Sequence, residues 1–194
     1  MITKRSALYH HHRTVGAWFV EHHGWELPGR FAAPEAEAAQ VLGGVGLADL
    51  SYRAKFETQS EPVQSWWRLG AGRYLVIGEP HSEPLAEARG SAGFVDVTSV
   101  YANLLLAGPR SKHVLGKLSS LNTSGESLPN LSCAQASVAH VHAIVLREDL
   151  MEVPAFHLLV TRDYAESVWE ALAQAGEEFA LRPFGLEALR LLRG

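Results

Sequence analysis

Residues 101–110 read Tyr-Ala-Asn-Leu-Leu-Leu-Ala-Gly-Pro-Arg. Tyr101 to Ala107 form a run of strand length and apolar character. Gly108-Pro109 breaks it, and Pro109 suits the first turn of a helix, where a missing N–H costs nothing. The spacing predicts a helix over Pro109–Leu118. Downstream, Leu121 to Asn130 collects Asn, Thr, Ser, Gly and Pro, a loop signal. Ala134–Ala139, Val141–Arg147 and Phe156–Thr161 follow with strand character. Asp163 is placed to cap an amphipathic helix to Ala175, with Val168, Trp169 and Leu172 on one stripe. Phe179–Leu181 reads as a last strand and Gly185–Leu192 as a terminal helix. The order β-α-β-β-β-α-β is close to a ferredoxin-like split unit.

Upstream the pattern is also mixed. Ser6–Arg13 reads as a short helix capped by Ser6, and Ala17–Val20 as an apolar run. Gly24-Trp25-Glu26-Leu27-Pro28-Gly29 is rich in breakers and predicts a shaped loop. Pro34 opens a helix over Glu35–Leu42, which Gly43-Gly44 ends. Gly46–Gln59 is strand material. Arg68 to Ile77 predicts a strand pair turning at Gly70–Gly72. Pro84–Arg89 is a short helix and Phe94–Val97 a strand. The expected class is α+β, with two ferredoxin-like units over 1–90 and 91–194, side by side or interwoven.

The chain has 194 residues, a net charge of -4 and one cysteine, Cys133. An acidic balance disfavours nucleic acid as a partner. A lone cysteine excludes an internal disulfide and a Cys-rich zinc site. No apolar run reaches the roughly 18–20 residues of a membrane span. The expectation is a cytoplasmic protein without a membrane partner.

Three stretches resemble the glycine-cleavage T-protein family of aminomethyltransferases. They are Leu8-Tyr9, His12, Gly16-Ala17, Val20 and Gly24–Pro28; Gly46-Leu47-Ala48-Asp49-Leu50-Ser51 with Lys55-Phe56; and Leu189-Arg190-Leu191. The second half is similar to the γ subunit of heterotetrameric sarcosine oxidase. Phe94–Ser99, Leu106–Arg110 with Val114-Leu115, Cys133-Ala134-Gln135, and Phe156, Leu158, Val160-Thr161-Arg162 with Trp169 carry that likeness. The resemblance implies the T-protein folate-binding fold of two α+β units, without the C-terminal β-barrel. It also implies a link to tetrahydrofolate and one-carbon metabolism.

The departures bear on activity. The family's Asp-Asp stretch has no counterpart between Phe56 and Arg68, where only Glu61 stands. A carboxylate at the reacting centre is what proton movement would require. The family's Gly-Tyr-Thr-Gly-Glu stretch falls at Arg147–Pro154, where Glu152 is the stand-in for the pterin-binding acid. Leu192 replaces the closing Glu. These losses favour a non-catalytic subunit or scaffold, packed on larger oxidase or dehydrogenase subunits. The alternative is a stand-alone tetrahydrofolate-binding protein or minimal aminomethyltransferase.

No catalytic residue is assigned. Trp25 and Tyr74 are candidates to stack on a pterin, Glu152 to pair with it, and Arg162 and Arg190 to grip the folate tail. Core packing and surface ion pairs are the rival readings. Trp66-Trp67 marks a core or a partner interface. Ten histidines raise the question of metal. His10-His11-His12 diverge by about 100° per residue on a helix. His140 and His142 would share a strand face, but no third ligand is apparent. His10–His12, His22-His23 and His140 with His142 read as solvated or core-edge histidines, so no metal site is expected. His12 matches the family pattern and is read as a structural hydrogen bond. Cys133 is read as a small packed hydrophobe.

Overall fold

A computed structural model describes residues 3–60 and 67–194. Glu61 and Trp66 lie outside the described residues. Along the chain come β1 (Lys4–Arg5), α1 (Tyr9–Thr14), β2 (Trp18–His22), β3 (Trp25–Arg30), α2 (Pro34–Gly43), β4 (Gly46–Asp49) and β5 (Ala54–Thr58). Then follow β6 (Trp67–Gly70), β7 (Arg73–Gly78), α3 (Glu83–Arg89), β8 (Val95–Asp96), β9 (Tyr101–Ala107) and α4 (Ser111–Leu118). The chain continues through β10 (Ser132–Val138), β11 (Val141–Arg147), β12 (Ala155–Thr161), α5 (Ala165–Gly176), β13 (Arg182–Pro183) and α6 (Leu186–Arg193).

The strands form three sheets. The largest runs β10-β11-β12-β9-β4-β13, a second β6-β7-β5-β8, and a small third β1-β3-β2. β9 lies inside the six-stranded sheet, and its apolar run Leu104–Ala107 follows from burial on both faces. Leu104 and Leu106 point to one face and pack with Val114, Leu115, Val168, Trp169 and Leu172 of α4 and α5. Leu105 and Ala107 point to the other, where Leu186 and Leu189 of α6 and Val41 of α2 lie. Further along that sheet Ile144, Leu146 and Leu159 meet Trp67, Leu75 and Ile77 of the four-stranded sheet. α3 covers the far side of that sheet through Leu85 and Ala88 on Phe56 and Val76. The chain crosses residue 90 in both directions: β4 pairs with β9, and β8 pairs with β5.

The Gly70–Gly72 hairpin and the β9-α4-β10-β11-β12-α5 order form as the pattern predicts. Other segments differ. Where a loop is expected over Gly24–Gly29, Trp25–Arg30 forms β3, the central strand of the small sheet. Its Pro28 pairs with Phe19 where the register shifts between Trp18 and Phe19, a place where a missing N–H is tolerated. Gly46–Gln59 is not one strand. It splits at Leu50–Arg53 into β4 and β5, which join different sheets. Ser6 caps nothing: α1 starts at Tyr9, and the buried Ser6 hydroxyl turns to Asp49. Asp163 falls within a 3-10 turn, so α5 begins at Ala165 without a side-chain cap. Residues 177–179 form a second 3-10 turn, Ala180 is left-handed, and the last strand starts at Arg182. Trp67 is buried core.

Candidate functional site

The β2–β3 hairpin turns on two residues, His23 and Gly24, both at positive φ (49° and 76°). Along a straight strand consecutive side chains point to opposite faces. The left-handed backbone at His23 swings its ring back beside that of His22, with centroids 4.3 Å apart. Both rings border a cleft of about 250 Å³ with Tyr52, Glu79, Leu186, Leu189, Arg190 and Arg193. The β4–β5 turn supplies Tyr52, the end of β7 leads to Glu79, and α6 supplies the leucines and arginines.

Glu79 organises this cleft. Its Oε1 accepts a hydrogen bond from the Tyr52 hydroxyl at 2.7 Å and lies 3.6 Å from Arg193 Nη1. Its Oε2 lies 3.5 Å from His22 Nε2 and 3.7 Å from His23 Nε2. Burial pushes the Tyr52 hydroxyl above its ordinary range, and the neighbouring Glu79 adds to it. Burial, then the charge of His23, pulls the His22 imidazole below its ordinary value, which favours the neutral ring.

A buried polar network lies nearby. His157 is enclosed, with Nδ1 3.0 Å from Asn103 Oδ1 and Nε2 3.2 Å from Glu148 Oε2. Arg53 Nη1 is 3.5 Å from Glu148. The His157 hydrogen bond outweighs burial and holds the Glu148 carboxyl down at about 2. Burial lowers the His157 value despite that carboxylate. Lys55 is completely buried, its ammonium donating to the carbonyls of Ser51 and Arg53 at 3.0 and 2.7 Å. Burial pulls it down to about 7. His12 and Asp49 form a second enclosed pair at 3.2 Å. Burial alone would raise the Asp49 carboxyl, but His12, Ser51 and Ser6 bring it below its ordinary value. Most of these charges and dipoles satisfy one another, which suits a structural role.

The five candidate folate residues are dispersed. Trp25 and Arg162 border a small cavity with Ser6, Ser51, Thr98 and Tyr101, of about 10 Å³. Arg190 borders the His22–Glu79 cleft instead. Tyr74 is buried in β7, paired with Thr58 and Arg68 across the sheet. Glu152 is exposed in the turn after Met151, which has a φ of 53°. His140 is not on a strand face with His142; it sits in the β10–β11 turn at a φ of 66°. Cys133 is half-buried, its Sγ 3.0 Å from the Arg68 carbonyl, and burial pushes the thiol up, away from a reactive thiolate. Glu79, Tyr52 and Arg193 were invisible as site residues because the contacts that join them to His22 span long sequence separations. The His22-His23 doublet was visible, but only the turn geometry makes its rings converge.

Comparisons with known proteins agree with the fold. An aminomethyltransferase of Saccharopolyspora erythraea is 26% identical over 98% of this chain and 63% of its own length. One from Acidobacterium capsulatum is 24% identical over 98% of this chain and 62% of its own. The chain thus spans a little under two thirds of these relatives. The sarcosine oxidase α subunit of Rhizobium meliloti is 29% identical over 50% of this chain and 10% of its own length. The crystal structure of the glycine cleavage system aminomethyltransferase T from Bartonella henselae superimposes with a TM-score of 0.77 at 17% identity, over 98% of this chain and 62% of that one. A chain of the heterotetrameric sarcosine oxidase of Corynebacterium sp. U-96, in complex with pyrrole 2-carboxylate, gives 0.62 at 17% identity, over 76% of this chain and 92% of that one. The fold is mixed α+β, of the T-protein folate-binding type. The family model of the GCVT N-terminal domain matches residues 68–194, and the chain belongs to that family.

Proposed function

We propose that this chain is a non-catalytic small subunit of a heteromeric, sarcosine-oxidase-like enzyme, packed on larger subunits that carry the flavin and folate chemistry. The observation that carries this reading is the size of the cavity beside Trp25 and Arg162. About 10 Å³ is room for roughly one water molecule. A pterin ring needs more room than that, which supports reading Trp25 and Arg162 without a folate between them. In this reading the chain contributes surface and positioning. Its test is affinity capture of the tagged full chain from the cells that make it, with mass spectrometry of what comes with it. Larger flavin-containing subunits in stoichiometric amount are expected. Recovery of the chain alone, or only with itself, would overturn the proposal.

A further inference from the structure

We propose that His22, His23 and Glu79 form a three-ligand site for a divalent cation of the zinc type, on the wall of the cleft under α6. The ligand atoms of the three residues all lie within 4.8 Å of one another. Glu79 Oε2 is buried and has no hydrogen-bond partner. It sits 3.5 and 3.7 Å from the two imidazole Nε2 atoms, at the outer limit of a hydrogen bond or beyond it. Zinc bonds of about 2.1 Å in a tetrahedron set ligand–ligand edges of about 3.4 Å, so both separations suit a shared ion. The other carboxylate oxygen is already committed. Tyr52 donates to Oε1 at 2.7 Å and Arg193 approaches it, which fixes the carboxylate in the way outer-shell partners fix metal ligands. Tyr52 also holds the rings, edge-on to His22 and parallel to His23. Two imidazoles and one carboxylate make a donor set suited to zinc. Three protein ligands leave a fourth position toward the cleft, where Arg190 and Arg193 favour an anionic oxygen ligand. This site is independent of the subunit proposal and of any folate.

The test uses cobalt(II) as the probe on the purified full chain, followed by competition with zinc. The expected result is one cobalt per chain with the intense visible absorption of four-coordinate cobalt, displaced by one equivalent of zinc. His23→Asn keeps a residue that tolerates the left-handed turn, so the hairpin is retained. It and His22→Gln should each weaken zinc binding at least tenfold, with unchanged circular dichroism. A second group, the half-buried His11 with the exposed Glu166 and Glu170, serves as the control. His11→Ala should leave the spectrum and the affinity as they are. A cobalt spectrum that stays six-coordinate, or zinc affinity unmoved by His23→Asn, would overturn the proposal. So would loss of binding in His11→Ala.

Discussion

Glu148 has its folded value held at about 2, against an ordinary value of 4.5, because His157 binds its charged form. A depressed carboxylate adds stability above the unfolded value and loses it as pH falls through the folded one. Stability should therefore decline from about pH 4.5 towards 2. The Glu148 side chain is about a third exposed, so its share is screened to at most about 2 kcal/mol. Urea unfolding across that range should show the decline, and Glu148→Gln should flatten it. His12 behaves differently, because it and Asp49 are both sealed from solvent. His12→Ala leaves the buried Asp49 carboxylate with only its Ser51 and Ser6 partners and should cost about 3 kcal/mol. Chemical denaturation near neutral pH measures that directly. The sequence marked His12 as a structural hydrogen-bonding residue, and the structure agrees. It could not mark Asp49 as its partner, because the pairing depends on where β4 is placed beside α1.

At the scale of elements, periodicity and turn residues were readable wherever a segment packs by its own pattern. The β9 run, the Gly70–Gly72 hairpin and the stripe of α5 are of that kind. Reading failed where tertiary pairing overrides local signals. Breakers at Gly24, Pro28 and Gly29 suggested a loop, yet β1 and β2 supply partners on both sides of β3. Gly29 packs closely, since a Cβ there would lie 2.6 Å from Val20 Cγ1 and that side chain would have to shift. The start of α6 is tighter still. A Cβ on Gly185 would meet the Gly29 carbonyl oxygen at 2.2 Å, and backbone cannot step aside as a side chain can. The Gly185 N–H donates to Glu37 at 2.8 Å, and the same carboxylate accepts from Ala32 at 2.7 Å. Gly185→Ala should therefore displace α6 and cost about 2 kcal/mol or more. A thermal melt reads the loss, and an unchanged melting temperature would mean that α6 docks in some other way.

For the molecule as a whole, the α+β class and the family were legible from short motifs spread over most of the chain. The folate residues were carried over one at a time by resemblance, and a motif cannot say whether its neighbours leave room for the ligand. Trp25 and Arg162 do share a cavity, but Tyr74, Arg190 and Glu152 lie elsewhere. Among the described residues, none of the helices is long and apolar enough to cross a membrane. A subunit needs a docking face, and Trp18 on edge strand β2 is a bulky aromatic left 66% exposed. Tryptophan is enriched among residues that dominate binding energy. Trp18→Ala should reduce recovery of larger partners at least tenfold in the capture experiment and leave the melting temperature within a degree or so. Equal recovery would place the interface on another face.

The subunit proposal requires that no folate binds beside Trp25 and Arg162 in this chain. Calorimetric titration of the purified chain with reduced tetrahydrofolate tests it most directly. The account predicts no saturable heat up to millimolar ligand. Micromolar binding that weakens in Trp25→Ala or Arg162→Ala would contradict it. The cavity would then open to admit the pterin, and the chain would be a tetrahydrofolate-binding protein in its own right.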